Sequence, residues 1–246
     1  MCTVFILRNR LGDFGTVLAG NRDEMLDRPW TGPRAQAGRP AVLMPTDDRA
    51  GGTWVGVNDA GLAVAITNRM SQPSGSGQRS RGLLCRDVAG AGSLAQGVRA
   101  VRSHLRAQPY DPFNLILADG RDAVVLRYGN DGLAEEVLGD GIHVVSSRGD
   151  LNPGDLLGAR MIVDMAASAS QGDPEVLANE LLPLLGDHNV LAPQHPICKH
   201  NHLYGTLCTA IAAVSSRLQP VFLFGAAAPC RTPLSPVDFG GLRRSA

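Results

Sequence analysis

The 246-residue chain has no excess of charge of either sign, since 23 Lys and Arg residues balance 23 Asp and Glu residues. A net charge of zero removes the global electrostatic attraction on which binding to nucleic acid or to an anionic membrane surface depends. The sequence also lacks any run approaching the roughly 20 apolar residues of a membrane helix. We therefore expect no nucleic-acid partner and no integral membrane segment.

The chain lacks a cysteine pattern typical of a disulfide framework or a redox motif. Its cysteines are odd in number, widely spaced and without a C-x-x-C pair. They are Cys2, Cys85, Cys198, Cys208 and Cys230. The apolar stretch Cys2–Leu7 is shorter than the ~7–15-residue core of a signal peptide. These features favour a reducing compartment, and we expect the protein to be cytoplasmic.

The order of strand and helix patterns predicts an antiparallel sheet assembly covered by helices, because it is not a regular βαβ alternation. The stretch Asp27–Pro40, with three prolines and two glycines, is predicted to be a loop, and Ser71–Ser80 a second, surface loop. The predicted helices are Gly82–Val88, Leu94–Leu105, Pro153–Ala169 and Pro174–Leu185. The predicted strands are Cys2–Leu7, Thr16–Ala19, Gly51–Val57, Leu62–Thr67, Asn114–Ala118, Ala123–Tyr128, Ile142–Ser146, Tyr204–Val214 and Val221–Phe224.

A cysteine directly behind the initiator methionine is a candidate N-terminal nucleophile. Removal of Met1 would give Cys2 both a thiol and a free α-amine, with ordinary pKa values of about 8.5 and about 8. The amine of such a residue can act as the base for its own side chain. The alternative is that Cys2 is a small apolar residue at the start of a strand.

Two polar segments stand at the ends of predicted strands. A hairpin through Asn9–Phe14 would bring Arg22 and Asp23 beside Cys2, where Arg22 could stabilise the thiolate and Asp23 could hold the α-ammonium. Asn68, at the end of a later strand, could donate its amide N–H to an oxyanion. The alternatives are a solvated ion pair in a surface turn for the first segment and an ordinary loop start for Asn68.

Several separated motifs, in order, resemble the NRDE family, the transport-and-Golgi-organisation family named for that tetrapeptide. They are Met1-Cys2-Thr3, Gly20-Asn21-Arg22-Asp23-Glu24, Gly51-Gly52-Thr53-Trp54, Asn58-Asp59-Ala60-Gly61-Leu62, Thr67-Asn68-Arg69 and Tyr204-Gly205-Thr206. The resemblance extends to N-terminal-nucleophile hydrolases of the choloylglycine hydrolase and penicillin acylase group. It implies an α+β fold, a four-layer αββα sandwich, in a single domain over residues 1–246.

The resemblance also implies a set of catalytic residues, namely Cys2, Asn21, Arg22, Asp23 and Asn68. The sequence departs from the hydrolases in three places. Arg22 is adjacent to Asp23 rather than several residues before it, Ser146-Ser147-Arg148 stands where a second Asn is expected, and Leu207 follows Tyr-Gly-Thr where relatives often have Arg.

These features lead to three hypotheses of function. The first is a cysteine amidohydrolase or acyltransferase acting on a non-peptide amide or thioester, for which no cofactor is required. The second is a non-catalytic carrier of haem or an acyl lipid that uses the same cleft. The third is an interaction module in membrane trafficking.

A cluster of cysteines and histidines near the C-terminus contains ligand types for zinc or haem iron. Its members are Cys198, His200, His202 and Cys208. The spacing matches no common structural zinc pattern, so we predict no metal ion and interpret the segment as a polar loop. Because the family resemblance includes a link to haem handling, His200 and His202 stay candidates for haem binding.

Overall fold

The computed structural model describes residues 3–70, 78–147, 151–189 and 196–240. Within these residues the chain forms 13 strands and four α-helices, with a short 3₁₀ turn at Gly154–Leu156. In chain order they are β1 (Thr3–Leu11), β2 (Phe14–Met25), β3 (Trp30–Gln36), β4 (Val42–Asp47), β5 (Val55–Asn58), β6 (Ala63–Asn68), α1 (Arg81–Ala89), α2 (Leu94–Ala107), β7 (Phe113–Ala118), β8 (Ala123–Gly129), β9 (Gly132–Val137), β10 (Gly141–Ser146), α3 (Leu157–Ala169), α4 (Pro174–Leu185), β11 (Tyr204–Val214), β12 (Val221–Gly225) and β13 (Ser235–Pro236).

Two antiparallel sheets form the centre of the fold. The first has the strand order β10-β1-β2-β11-β12-β13 and the second the order β3-β4-β5-β6-β7-β8-β9. Helices α3 and α4 pack on the first sheet, and α1 and α2 pack on the second. The predicted four-layer αββα sandwich is therefore confirmed.

The layers are held by three apolar clusters, one beneath each helix pair and one between the sheets. Ile6, Leu18 and Val57 belong to the cluster between the sheets and are buried. Strands buried on both faces have nearly continuous apolar sequences, and β1 and β6 are two such strands. None of the helices formed by the described residues combines the length and apolar character needed to cross a membrane.

The helix starts follow from local sequence. Ser80, Ser93 and Asp173 accept hydrogen bonds from backbone N–H groups at the starts of α1, α2 and α4. Such caps pair amide groups that have no partner within the helix. All four predicted helices are present, although the third begins at Leu157, after the 3₁₀ turn, rather than at Pro153.

The prediction of a loop over Asp27–Pro40 is wrong, because β3 occupies Trp30–Gln36. This strand lies at the edge of the second sheet, where a proline such as Pro33 is tolerated. The ladder to β4 is also irregular between Thr31 and Arg34. The second predicted loop falls largely on residues 71–77, outside the described residues.

Candidate active site

The ends of several strands from both sheets meet at one end of the sandwich. In the first sheet, Thr3 at the start of β1 lies opposite both Asn21 of β2 and Ser146 of β10. In the second sheet, β6 ends at Asn68. The Met70 N–H then donates to the Ser147 carbonyl at 2.9 Å, which joins the two sheets at this point.

A polar cavity of about 330 Å³ opens at this end of the sandwich. This volume lies in the range of small-molecule sites. The lining residues include the three predicted site residues Arg22, Asp23 and Asn68. Cys2, the predicted nucleophile, lies outside the described residues, which begin at Thr3.

Arg22 is buried at the cavity wall between a carboxylate and an aromatic ring. Its Nη2 donates to Asp47 Oδ2 at 2.8 Å, and its Cζ lies 4.0 Å from the centroid of the Trp54 ring. Its Nη1 is also buried and has no hydrogen-bond partner among the described residues. Buried polar groups are nearly always paired, so this unpaired donor favours an acceptor from a ligand or from another part of the chain.

Asp47 holds two arginines at this wall. Besides Arg22, it accepts a bond from Arg28 Nε at 2.9 Å and from the Ala50 N–H at 3.0 Å. Burial opposes its ionisation, but hydrogen bonds from Arg28 and Ala50 and the charges of both arginines outweigh burial and lower the pKa of the carboxyl. Asp47 is therefore a fixed anion in the site.

Asp23 is bound by groups from the segment before β11 and from its start. Lys199 Nζ lies 2.6 Å from Asp23 Oδ2, and the Thr206 hydroxyl donates to Oδ1 at 2.6 Å. Tyr204 donates its hydroxyl to the Asp23 carbonyl at 3.0 Å. Burial raises the pKa of the Asp23 carboxyl, although the ammonium of Lys199 opposes this shift.

Asn21 belongs to a buried network rather than to the cavity. Its side-chain amide donates to the carbonyls of Leu185 at 2.8 Å and Ile197 at 2.9 Å. Its Oδ1 accepts from the Thr209 hydroxyl at 2.8 Å. These contacts fasten β2 to the end of α4, and Asn21 is not among the residues that line the polar cavity.

Asn68 is the most accessible of the predicted polar residues. It lies exposed at the end of β6, and its side chain makes no hydrogen bond to the described residues. Behind it, Asn114 is fully buried and donates to the Thr67 hydroxyl at 3.1 Å. The Asn114 Oδ1 and the Ser147 Oγ are buried without partners among the described residues. The cavity therefore has an exposed amide at its rim and unpaired polar atoms behind it.

The sequence profile of the family described as transport and Golgi organisation 2 matches residues 1–223. The chain belongs to this family. The transport and Golgi organization 2 homolog of Mus musculus is 26% identical over 232 residues, covering 85% of this chain and 82% of that protein. The Bos taurus homolog is 32% identical over 133 residues, covering 50% of this chain and 46% of that protein.

Solved structures of N-terminal-nucleophile hydrolases share the fold. A variant of conjugated bile acid hydrolase from Clostridium perfringens superposes with a TM-score of 0.57 at 11% identity, covering 100% of this chain and 95% of that one. The Caenorhabditis elegans ortholog of N-acylethanolamine-hydrolyzing acid amidase gives a TM-score of 0.53 at 13% identity, covering 85% and 92%. At these identities the likeness establishes the fold alone.

The family motif Gly51-Gly52-Thr53-Trp54 has a clear structural role in this member of the transport and Golgi organisation 2 family. A Cβ added at Gly52 would lie 2.2 Å from the carbonyl carbon of Gly82, so only glycine allows α1 to begin so close. The Thr53 N–H donates to the Gly82 carbonyl at 2.9 Å, and Trp54 supports Arg22. The motif thus places the start of α1 against the cavity.

Two arginines at the start of α1, Arg79 and Arg81, also line the cavity. The sequence did not indicate either of them as a site residue. Arg79 pairs with Asp87 at 2.7 Å and donates to the Tyr110 hydroxyl at 2.9 Å. Arg81 Nη1 donates to the Pro112 carbonyl at 3.1 Å. Lys199 was also missed, although it is the single lysine in a chain that otherwise uses arginine, a compositional signal that could have indicated it.

The predicted cluster of Cys198, His200, His202 and Cys208 does not form as a unit. Cys208 is buried between the sheets, and His202 is exposed and belongs to no metal-ligand group found among the described residues. Cys198 and His200 instead meet His188 and Cys230. Burial, the neighbouring Cys230 thiol and its hydrogen bond raise the pKa of the Cys198 thiol to about 12, while burial lowers the pKa of His200.

Proposed function

We propose that the chain is an N-terminal-cysteine amidohydrolase or acyltransferase that acts on a non-peptide amide or a thioester. The observation that carries this proposal is the polar cavity at the end of the sandwich where β1 begins. Thr3 lies opposite Asn21, and the next two residues of β2 line the cavity. A peptide bond holds the Cα of Cys2 about 3.8 Å from that of Thr3. Because Cys2 directly precedes Thr3 in the sequence, we assign the proposed nucleophile to this cavity.

In the proposed reaction, Met1 is first removed and the α-amine of Cys2 takes the proton of its thiol. The sulfur attacks the carbonyl carbon of the substrate, and a tetrahedral oxyanion forms. As the C–N or C–S bond breaks, the ammonium returns the proton to the leaving amine or thiol. Water or another acceptor then attacks the acyl-cysteine thioester and releases the acyl group, regenerating the thiol.

The cavity residues fit distinct parts of this reaction. Asn68, with its unengaged amide, would donate to the oxyanion together with a backbone N–H. The Nη1 of Arg22, which has no partner within the part of the chain that the structure describes, favours an anionic group nearby, such as the thiolate or the oxyanion. Asp23, held by Lys199 and Thr206, would accept a hydrogen bond from the α-ammonium.

The test compares wild type with Cys2→Ala on a panel of acyl amides and acyl thioesters of increasing chain length. Intact mass spectrometry first establishes whether Met1 is absent and then seeks an acyl adduct on Cys2. We expect turnover and an adduct in wild type and neither in Cys2→Ala. Retention of Met1, or turnover equal in the two proteins, would overturn the proposal.

The pH dependence of Cys2 reactivity tests the proposed base. The rate at which iodoacetamide alkylates Cys2, followed by peptide mass spectrometry across a range of pH, reports the ionisation of the thiol beside its own α-amine. We expect an apparent pKa near the working pH, as a general base requires.

A second candidate, a carrier of an acyl lipid or haem in the same cleft, is favoured by an apolar recess. The recess lies between the sheets and shares Trp54 and Ile66 with the polar cavity. Its volume of about 20 Å³ accommodates roughly one water or methyl group, so a longer chain requires side-chain movement. Saturable binding of an acyl lipid or haem with no turnover would support the carrier. For haem, His200→Ala and His202→Ala test the two predicted ligands by the Soret band.

We further propose that the protein acts in the cytoplasm. Among the described residues, Cys85, Cys198 and Cys230 are free thiols. A chain with several reduced cysteines and a thiol nucleophile suits a reducing compartment. Fractionation of cells that carry the tagged protein tests this location.

A further inference from the structure

Four metal-ligating side chains from three separate segments meet away from the cavity. His188 follows α4, Cys198 and His200 precede β11, and Cys230 follows β12. One ligand atom from each residue lies within 4.8 Å of the others. Two thiols and two imidazoles in such a group form a set that selects zinc among the common biological cations.

The distances within the cluster fit a tetrahedral ion. The two sulfur atoms, Cys198 Sγ and Cys230 Sγ, are 3.8 Å apart, and His200 Nε2 lies 3.7 Å from the first and 3.2 Å from the second. Zinc–sulfur bonds of ~2.3 Å and zinc–nitrogen bonds of ~2.0–2.1 Å in a tetrahedron require separations of about 3.8 Å between sulfurs and about 3.5 Å between sulfur and nitrogen. Cys198, His200 and Cys230 therefore match three of the four ligand positions to within a few tenths of an ångström. His188, whose ligand atom lies within 4.8 Å of theirs, would move inward to complete the tetrahedron.

The backbone around the cluster holds the ligands in place. His188 Nδ1 lies 3.1 Å from the Cys198 carbonyl, which can only accept, so Nδ1 carries the proton and the lone pair is on Nε2. Zinc-bound histidines commonly use their second nitrogen in this way. The Cys198 N–H donates to the Asp187 carbonyl at 2.9 Å, and the Arg231 N–H donates to the Ala228 carbonyl at 2.9 Å. All three segments are thus ordered around the site by their own hydrogen bonds.

We propose that His188, Cys198, His200 and Cys230 form a closed, structural zinc site. The spacing H-x9-C-x-H-x29-C matches no common zinc pattern, so no local motif marks these four residues as a set. The fold supplies His188 and Cys230 from segments that no local motif connects. With four protein ligands, no position is open for a water nucleophile, so the ion would fasten segments together rather than react.

The position of Lys199 between two ligands links the zinc site to the cavity. Lys199 lies between Cys198 and His200 in the chain, and its Nζ forms the 2.6 Å pair with Asp23. The zinc ion would therefore fix the segment that presents Lys199 to Asp23. This inference does not depend on the proposed hydrolytic function, because it concerns the ligand set alone.

The experiment measures metal content and cobalt spectra of the full chain purified under reducing conditions. We expect one zinc per chain. Replacement of zinc by Co²⁺ should give the thiolate-to-cobalt charge-transfer band and the intense visible bands of a tetrahedral sulfur-ligated ion. Cys230→Ser and His188→Ala alter exposed residues, so they should still fold, and we expect each to weaken zinc binding at least tenfold.

Two matched variants separate this site from others. His202→Ala removes an exposed histidine two residues beyond His200 and should leave the metal content and cobalt bands unchanged. Cys2→Ala should also retain the metal, because Cys2 is not one of the four ligands. Wild type that binds no zinc, cobalt bands that survive Cys230→Ser, or a disulfide between Cys198 and Cys230 in the reduced preparation would each overturn the proposal.

Discussion

Lys199 and Asp23 form an ion pair of 2.6 Å across 176 positions of sequence. The Asp23 side chain is 0% exposed and that of Lys199 is 13% exposed. Burial of a charge is costly unless it is paired and hydrogen-bonded, and Asp23 meets this condition through Lys199 and Thr206. The only lysine in the chain is thus the cation that pairs with the aspartate of the family tetrapeptide.

Replacement of Lys199 by Met should leave the buried Asp23 carboxylate without its cation. Breaking a buried pair by removing one partner costs about 3–5 kcal/mol, so we expect the free energy of unfolding to fall by roughly that amount. Urea denaturation at neutral pH measures the loss. The matched control is Arg10→Met, which breaks an exposed pair with Asp164 and should cost less than about 1 kcal/mol. Equal losses in the two variants would contradict the role assigned to Lys199.

The Asp47 carboxyl should make the free energy of unfolding depend on pH. Its pKa in the folded protein lies below the unfolded value of about 3.9, because Arg28, Ala50 and Arg22 stabilise its anion against the effect of burial. This contribution is fully present above the unfolded pKa and is lost as the pH falls through the folded pKa. We therefore expect Asp47→Asn to be less stable than wild type at pH 7 and to lose less additional stability below about pH 4. Urea midpoints across this pH range test the difference, and the exposed Asp48→Asn should follow wild type.

Gly52→Ala should displace the start of α1. The new Cβ would meet backbone atoms of Gly82, which cannot move aside as a flexible side chain can. Overpacking of this kind costs about 1–3 kcal/mol, and we expect a comparable fall in unfolding free energy together with a changed cavity. Gly32→Ala, where a Cβ meets nothing within 4 Å, is the control and should unfold as wild type does. A Gly52→Ala protein as stable as that control would show that α1 can adjust at no cost.

The sequence predicted the layers of the fold because its apolar runs and helix caps are local signals. Strands buried on both faces, such as β1 and β6, contain few polar residues, and α4 begins at a strong Asp173 cap. Edge strands carry weaker signals. Strand β3 contains Pro33 and is only partly buried, so its composition resembles that of a loop.

For the candidate site, the sequence predicted Arg22, Asp23 and Asn68 as site residues but did not predict their partners. Asp47 and Lys199 come from segments far along the chain, and only tertiary pairing brings them to the tetrapeptide. The same applies to the metal cluster, where the sequence grouped His202 and Cys208 with Cys198 because they are near in the chain. The fold selects His188 and Cys230 instead.

Asn68 provides the most direct test of the proposed reaction, because it is exposed and its side chain is not tied to the described residues. Under the proposed function, Asn68→Ala removes one oxyanion donor, and such a loss lowers kcat by about 10²–10³-fold. The effect should fall on kcat rather than on KM, since the bond forms mainly in the transition state. The free energy of unfolding should change by less than about 0.5 kcal/mol, as for other surface substitutions. Asn130→Ala, an exposed asparagine at the β8–β9 turn, should retain both turnover and stability. If Asn68→Ala turns over acyl substrates as fast as Asn130→Ala does, the oxyanion is held by other donors and the role given to Asn68 is wrong.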